Sequence, residues 1–176
     1  MWTFDDTEEF AEEYVASVDG VHFRIWEPRK NPSTKWYSHK YKKAGLSYEI
    51  AVALHHNRIV WVNGPFPAGE NDKTIFEKPG GLKSKLKGNQ AVVGDEGYQG
   101  VAATSNSLDP EELEDMKGRA KARQETINAR LKNFSILRGP FRTCGGKRLE
   151  RHKAAMEACL VFIQYELENG ASLMKV

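Results

Sequence analysis

Apolar and polar residues alternate over short runs in the first half of the chain, which is the pattern of half-buried β-strands. These runs predict strands at 15–19, 22–26, 46–54, 58–62 and 90–95. His55-His56-Asn57 separates two of the runs and indicates a hairpin turn. Residues 63–69 contain two prolines and two glycines, which predicts a loop. A basic, proline-containing loop is expected at 27–45.

Helical periodicity replaces this alternation in the second half. Asp109-Pro-Glu-Glu has the cap, the proline and the early acids of a helix start, and that helix would run to about residue 137 with a break near Gly118. Asp72 would cap a short helix at 73–77, an amphipathic helix covers 149–168, and 8–14 could form a short acidic helix. Strands followed by helices predict an α/β or α+β domain with a central mixed sheet.

Composition narrows the class of protein without identifying a function. The 176 residues are enough for one domain with a sizeable core, and 40% hydrophobic with 28% charged residues is typical of soluble globular proteins. No apolar run approaches the roughly 20 residues that cross a bilayer, so no membrane partner is expected. Cys144, His152 and Cys159 lack the spacing of a zinc site. The acidic start resembles no targeting peptide, so a cytosolic or nuclear protein is expected.

Basic residues cluster in two stretches although the net charge is only +2. One stretch follows residue 28 and the other surrounds Glu125. Such clusters suit a phosphate backbone, and they equally suit an ordinary solvated surface. The candidate DNA contacts are Lys40, Lys42, Lys43, Lys121, Arg123, Asn128 and Lys132.

Three acids could carry chemistry. Asp19 and Asp95 each follow an apolar strand, where a bound cation would compensate a poorly solvated carboxylate. For both residues the alternative of a structural aspartate that hydrogen-bonds a turn stays open, as is common in Asp-Gly. Glu125 shares a helix face with Lys121, Asn128 and Lys132, which is either a metal ligand among phosphate-binding groups or a salt-bridged surface.

Several stretches resemble, in order along the chain, the DDE superfamily endonucleases of Harbinger-like transposases. The matching stretches are Ser17-Val-Asp-Gly-Val-His-Phe-Arg-Ile-Trp-Glu-Pro28, Trp36-Tyr-Ser-His-Lys40, Tyr48-Glu-Ile-Ala-Val52, Ile59-Val-Trp-Val-Asn-Gly-Pro-Phe-Pro-Ala-Gly69, Gly94-Asp-Glu-Gly-Tyr-Gln-Gly100, Arg123-Gln-Glu-Thr-Ile-Asn-Ala-Arg-Leu-Lys132 and Phe141-Arg142. Each is modest alone, and the ordered set is specific.

The resemblance implies a ribonuclease-H-like fold and metal-dependent cleavage and joining of DNA strands in the nucleus. It places the catalytic and metal-binding acids at Asp19, Asp95 and Glu125, with Asp72 as an accessory acid and two Mg²⁺ or Mn²⁺ ions as cofactors. The implied partners are transposon ends and target DNA, a second copy of the chain, and a DNA-binding partner protein.

Three departures from the family pattern keep other functions open. A histidine usually precedes the glutamate and another follows Phe-Arg, whereas Gln124 and Thr143 occupy these positions here. Asp19 also lies so near the start that the N-terminal DNA-binding region of full transposases is absent from residues 1–176, so a part of a longer protein is expected. The alternatives are a domesticated or degenerate domain that binds DNA or protein without catalysis, and a ribonuclease-H-like enzyme that acts on RNA or a branched substrate with the same site.

Overall fold

A five-stranded mixed sheet organises the chain in a computed structural model that describes residues 14–28, 33–104, 106, 108–141 and 147–176. The strands are β1 (Tyr14–Arg24), β2 (Tyr37–Ser38), β3 (Lys43–Ala53), β4 (Ile59–Pro67) and β5 (Ala91–Val93). β3 pairs antiparallel with β1 on one side and with β2 and β4 on the other, while β5 pairs parallel with β1. β1 therefore lies between β3 and β5.

The described residues form four α-helices beside the sheet. They are α1 (Asp72–Glu77), α2 (Glu111–Asn133), α3 (Ser135–Arg138) and α4 (Arg148–Glu168). Short 3₁₀ turns form at Thr34–Trp36, Leu82–Lys85 and Glu96–Tyr98. None of the helices within the described residues is long and apolar enough to cross a membrane.

The two faces of the sheet are covered by different elements. On one face, Ile50 and Val52 of β3 join a core cluster with Ile127 of α2 and Ile163 of α4. On the other face, Ala16, Val18 and Ala51 pack with Phe76, Leu82 and Tyr98. A mixed sheet flanked by helices is the α+β architecture predicted from the sequence, and it is compatible with a ribonuclease-H-like fold.

The strand boundaries differ from the prediction at two places. Segments 15–19 and 22–26 belong largely to one strand, because Asp19-Gly20 continues the ladder opposite Ile50 and Glu49 instead of forming a turn. The prediction that β1 ends at Asp19 was therefore wrong. The predicted loop at 63–69 begins as strand, since β4 runs to Pro67 beside β3 with a register shift near Asn63. Among the described strands β4 pairs with β3 alone, and such an edge position tolerates proline.

The helix starts also differ from the prediction. Asn71, and not Asp72, caps α1, because its side-chain oxygen accepts a hydrogen bond from the Lys73 backbone N–H. Asp109 does not cap α2 and forms an ion pair with Lys117 instead. α2 passes through Gly118 without a break and ends at Asn133. The predicted acidic helix at 8–14 lies, except for Tyr14 in β1, outside the described residues, as does Cys144.

Candidate metal and DNA site

A pocket of about 420 Å³ lies where β1, the end of β5 and α2 meet. Among its lining residues are seven that the sequence suggested for metal or DNA binding. They are Asp19, Lys40, Asp95, Lys121, Glu125, Asn128 and Lys132. The fold therefore brings the three candidate acids, which are 106 positions apart at most, to one opening between the sheet and a helix.

Asp19 is the most enclosed of the three acids. It sits inside β1, and the side-chain amide of Asn128 on α2 donates a hydrogen bond of 2.6 Å to its Oδ2. Burial, and then the charge of Asp95, raise the pKa of Asp19 to about 6, against the opposing effects of Lys40 and Asn128. Asn128 was expected to contact DNA; its amide instead holds Asp19, and the residue is only 6% exposed.

Asp95 occupies the exposed turn that follows β5. Its Oδ1 accepts a hydrogen bond of 2.9 Å from the Gly97 backbone N–H and so caps the 3₁₀ turn at Glu96–Tyr98. This is the turn role that the sequence left open for the residue. The bond uses one of the two carboxylate oxygens, so this structural role is compatible with the predicted ligand role of Asp95.

Asp72 belongs to the same group of acids although it does not line the pocket. A Cβ added at Gly20 would lie 2.3 Å from Asp72 Oδ1, which shows that the carboxylate lies directly against the β1 backbone. Burial, then Asp19 and Asp95, raise the pKa of Asp72 to about 6, while Lys40 opposes the rise. Gly20 is therefore required for the close approach of Asp72 and not for a turn.

Glu125 stands apart from the other acids. It is exposed on α2, on the helix side of the pocket. Across the described stretches of chain, no three or more Asp, Glu, His or Cys side chains stand close enough together to hold a metal ion. The predicted ligands thus share one pocket without forming an assembled coordination shell.

The chemistry of the donors nevertheless fits a divalent cation. Carboxylate oxygens are the ligands that Mg²⁺ and Mn²⁺ prefer. The half-buried acids Asp19 and Asp72 repel each other and Asp95, and a cation between them would relieve this repulsion. Asp19, Asp95 and Glu125, which line the same pocket, would hold the ion.

Cations surround the acids. Lys40, Lys121 and Lys132 line the same pocket, and burial, then Lys40, lower the pKa of Lys132. Lys42 and Lys43 follow Lys40 as exposed residues and do not line the pocket. The three pocket lysines place positive charge where a phosphate would meet the carboxylates.

Arg123 does not fit its predicted role in DNA binding. It is 2% exposed, and its guanidinium donates hydrogen bonds to the backbone carbonyls of Ala53, His56 and Met174. Those carbonyls lie at the end of β3, in the turn after it and near the C-terminal residue, so Arg123 joins three segments of the protein. The sequence does not distinguish DNA binding from this structural role, because a basic arginine side chain serves either.

Two buried residues were not anticipated from the sequence. Glu49 in β3 is 1% exposed, and burial raises its pKa to about 7. Neither of its carboxylate oxygens has a hydrogen-bond partner among the residues that the structure describes. The indole N–H of Trp61 lies near enough to oppose this rise without the geometry of a hydrogen bond. The position of Glu49 within the apolar run 46–54 was the feature of the sequence that could have indicated a buried acid.

Gln124 is the second of these residues. Its Oε1 accepts a hydrogen bond from Ser17 Oγ at 3.2 Å, and its Nε2 donates to the Ile50 carbonyl at 3.2 Å. Both bonds fix α2 on the sheet one residue before Glu125. The glutamine that departs from the family pattern is therefore an interior link between helix and sheet.

Comparison with known families adds one finding. The sequence model of the family described as "DDE superfamily endonuclease" matches residues 18–164. This range contains Asp19, Asp72, Asp95 and Glu125. Neither the curated proteins nor the solved structures compared with the chain gave a match.

Proposed function

The chain belongs to the DDE superfamily endonuclease family, and we propose that it is the DNA-cleaving and strand-transfer domain of a transposase that works with two divalent metal ions. The family points to nuclease chemistry on DNA. The observation that carries the finer proposal is the common pocket of Asp19, Asp95 and Glu125, with three lysines at its wall.

The acidic, amide and basic side chains at the pocket have three different roles in this proposal. Asp19, Asp95 and Glu125 hold the metal ions, with Asp72 behind Gly20 adding negative charge to the site. Asn128 fixes the orientation of Asp19 by its hydrogen bond. Lys40, Lys121 and Lys132 bind the phosphates that flank the cleaved bond.

Two divalent ions held by Asp19, Asp95 and Glu125 would supply an activated oxygen nucleophile and would stabilise the leaving oxygen of a phosphodiester. The protein contributes position and charge: the carboxylates offset the charge of the ions, and the lysines offset that of the DNA. The DNA partners proposed are transposon ends and a target, in the nucleus. A separate DNA-binding partner and a second copy of the chain would complete the assembly.

The test is cleavage of labelled duplex DNA in Mg²⁺ or Mn²⁺, with EDTA as the metal-free reference. We expect cutting by the parent chain and its loss in Glu125→Gln. Glu112→Gln is the matched control, because Glu112 is an exposed glutamate of the same helix outside the pocket. Equal cutting by the parent and Glu125→Gln would refute the assignment.

A second candidate is a domesticated domain that binds DNA or protein without cleaving DNA. It is favoured by one observation, the lack of an assembled group of three metal-ligating side chains in the described parts of the chain. This candidate predicts salt-dependent DNA binding through the pocket lysines together with no metal binding and no cutting. Metal-dependent cutting that Glu125→Gln abolishes would exclude it.

A further inference from the structure

The turn between β2 and β3, residues 39–42, carries Lys40 to the proposed nuclease pocket. Lys40 lines that pocket with Asp19, although β3 separates β2 from β1 in the sheet. Its charge opposes the rise that burial causes in the pKa of Asp19 and of Asp72. A lysine that starts two strands away binds a phosphate at a defined point only if its turn has a fixed shape.

Ser38, the last residue of β2, forms the hydrogen bonds that fix this turn. The Lys42 backbone N–H donates to the Ser38 carbonyl at 2.8 Å, and the Tyr41 backbone N–H donates to Ser38 Oγ at 3.3 Å. Lys42 has a φ of 54°, a left-handed conformation that lysine adopts only where its surroundings impose it. Lys40 lies between the residues that these bonds join, so they determine where its side chain begins.

His22 joins the same turn to β1 through two further bonds. Its Nδ1 lies 2.8 Å from Ser38 Oγ, and its backbone carbonyl accepts a hydrogen bond of 3.1 Å from the Tyr41 hydroxyl. Ser38 is fully buried, so water does not compete for the first of these bonds. Because His22 follows Asp19 by three residues on β1, one strand carries both the candidate metal ligand and the residue that holds the turn of Lys40.

The ring of His22 is suited to this place because it is uncharged at neutral pH. Burial, then Lys40 and Lys132, lower its pKa to about 4. A cationic ring would repel both lysines, whereas a neutral ring forms the bond to Ser38 without that cost.

We propose that His22 and Ser38 are positioning residues, which hold Lys40 at the point where the pocket receives a DNA phosphate. The identity of the anion rests on the proposed function, and the new element is what fixes a phosphate-binding cation relative to the candidate metal ligands. A turn that is already ordered does not lose conformational freedom when Lys40 binds the phosphate. Without the bonds of Ser38, the turn loses this advantage and Lys40 contributes less to DNA binding.

The first experiment measures binding of labelled duplex DNA in EDTA by fluorescence anisotropy over a salt series, so that neither metal ions nor cleavage affects the result. Lys40→Ala should reduce the slope of log affinity against log salt by about one. Ser38→Ala should produce most of the same loss. Tyr48→Phe is the matched control, because it removes another hydroxyl–histidine bond of 2.8 Å, to His152, outside the pocket, and it should bind like the parent.

The second experiment separates positioning from a general effect on the fold. Ser38→Ala should cause no further loss of affinity in a Lys40→Ala background, because the turn then has no ammonium group to place. His22→Ala should weaken binding as Ser38→Ala does. His22→Asn should restore it, since an asparagine amide can bond Ser38 Oγ as donor or as acceptor. The two His22 variants also test the link if Ser38→Ala does not fold.

Three results would overturn the proposal, and they differ in what else they affect. A parent-like slope in Ser38→Ala beside a reduced slope in Lys40→Ala would refute the positioning role alone. A full loss of affinity from Ser38→Ala in the Lys40→Ala background would assign these bonds to the fold. An unchanged slope in Lys40→Ala would refute the positioning role together with the part that Lys40 has in the proposed function.

Discussion

The two faces of β1 at Asp19-Gly20 place acidic side chains in different environments. On the α2 side, Asp19 faces an open pocket with an amide donor and three lysines. On the other side, Glu49 is enclosed, and within the described part of the chain neither of its carboxylate oxygens has a hydrogen-bond partner. Burial alone therefore does not identify an acid as a candidate metal ligand. Access to solvent and to compensating cations distinguishes the candidate metal ligands from the acid that the fold encloses.

The largest expected effect is the loss of DNA cleavage when Asp95 at the pocket is changed. Asp95→Asn should reduce metal-dependent DNA cleavage by roughly a hundredfold or more, because it removes a ligand charge worth several kcal/mol to the transition state. Asparagine can still accept the Gly97 hydrogen bond, so the turn should stay folded. Single-turnover cleavage rates measure the effect, with the exposed helix residue change Asp115→Asn as control. Comparable rates in Asp95→Asn and the parent would place the chemistry elsewhere.

A change at the enclosed Glu49 should alter how the free energy of unfolding depends on pH. Because the folded-state pKa of Glu49 is raised from 4.5 to about 7, its contribution to stability is fully present below pH 4.5 and is lost as the pH rises through 7. Glu49→Gln avoids that loss and should raise the free energy of unfolding at pH 8 by up to about 3 kcal/mol, with little change at pH 4. Urea unfolding at both pH values measures it. A lower stability than the parent at pH 8 would show that the Glu49 charge is compensated.

Asp19 and Asp72 should add to the same pH dependence. Their folded-state pKa values are raised from 3.8 to about 6, so the metal-free protein should lose further stability between these pH values. Mn²⁺ should restore the stability that is lost through ionisation of Asp19 and Asp72, because these two acids belong to the candidate site. It should leave the loss of stability through Glu49 unchanged. Thermal unfolding at pH 8 with and without Mn²⁺ separates the two. An equal effect of Mn²⁺ on the parent and on Asp19→Asn would contradict the separation.

The Asp72 carboxylate occupies the space that a side chain at Gly20 would need. Gly20→Ala should cost roughly 1–3 kcal/mol, because the added Cβ would meet Asp72 Oδ1 at 2.3 Å. Gly118→Ala is the matched control: it lies in α2 with open space around it and should gain up to about 1 kcal/mol in helix propensity. Denaturant midpoints measure both. Restored stability in Gly20→Ala with Asp72→Gly would identify the clash as the cause.

The smallest effect should come from single lysines at the pocket wall. Lys121→Ala should weaken DNA binding and reduce the slope of log affinity against log salt by about one. Lys85→Ala, an exposed lysine outside the pocket, should leave the slope unchanged. Fluorescence anisotropy over a salt series makes this measurement. The same slope in both variants would remove Lys121 from the DNA surface.

The sequence predicted the class of fold because its periodicities are local. Alternation in β3 and helical spacing in α4 appear in the residues themselves, and both elements form within a few residues of the predicted limits. Asp19-Gly20 misled the strand assignment because the pair also suits a turn. Glycine occupies position 20 because the Asp72 carboxylate lies against it, and no local pattern reveals a contact with a residue some fifty positions away.

The candidate site was predictable in its acids and less so in its supporting residues. Asp19, Asp95 and Glu125 line one pocket as the family resemblance suggested, and their roles as ligands remain predictions. Arg123 and Asn128 share the helix with Glu125, and only packing shows that Arg123 binds carbonyls and Asn128 binds Asp19. Long-range hydrogen bonds of this kind have no signature in a single sequence.

Mn²⁺ binding by isothermal titration calorimetry at pH 8 tests the contrast between the two sides of β1 most directly. The parent chain and Glu49→Gln should bind the ion with similar affinity, whereas Asp19→Asn should lose measurable binding. Retained binding in Asp19→Asn, or its loss in Glu49→Gln with the fold intact by circular dichroism, would contradict the account and move the metal to the enclosed side.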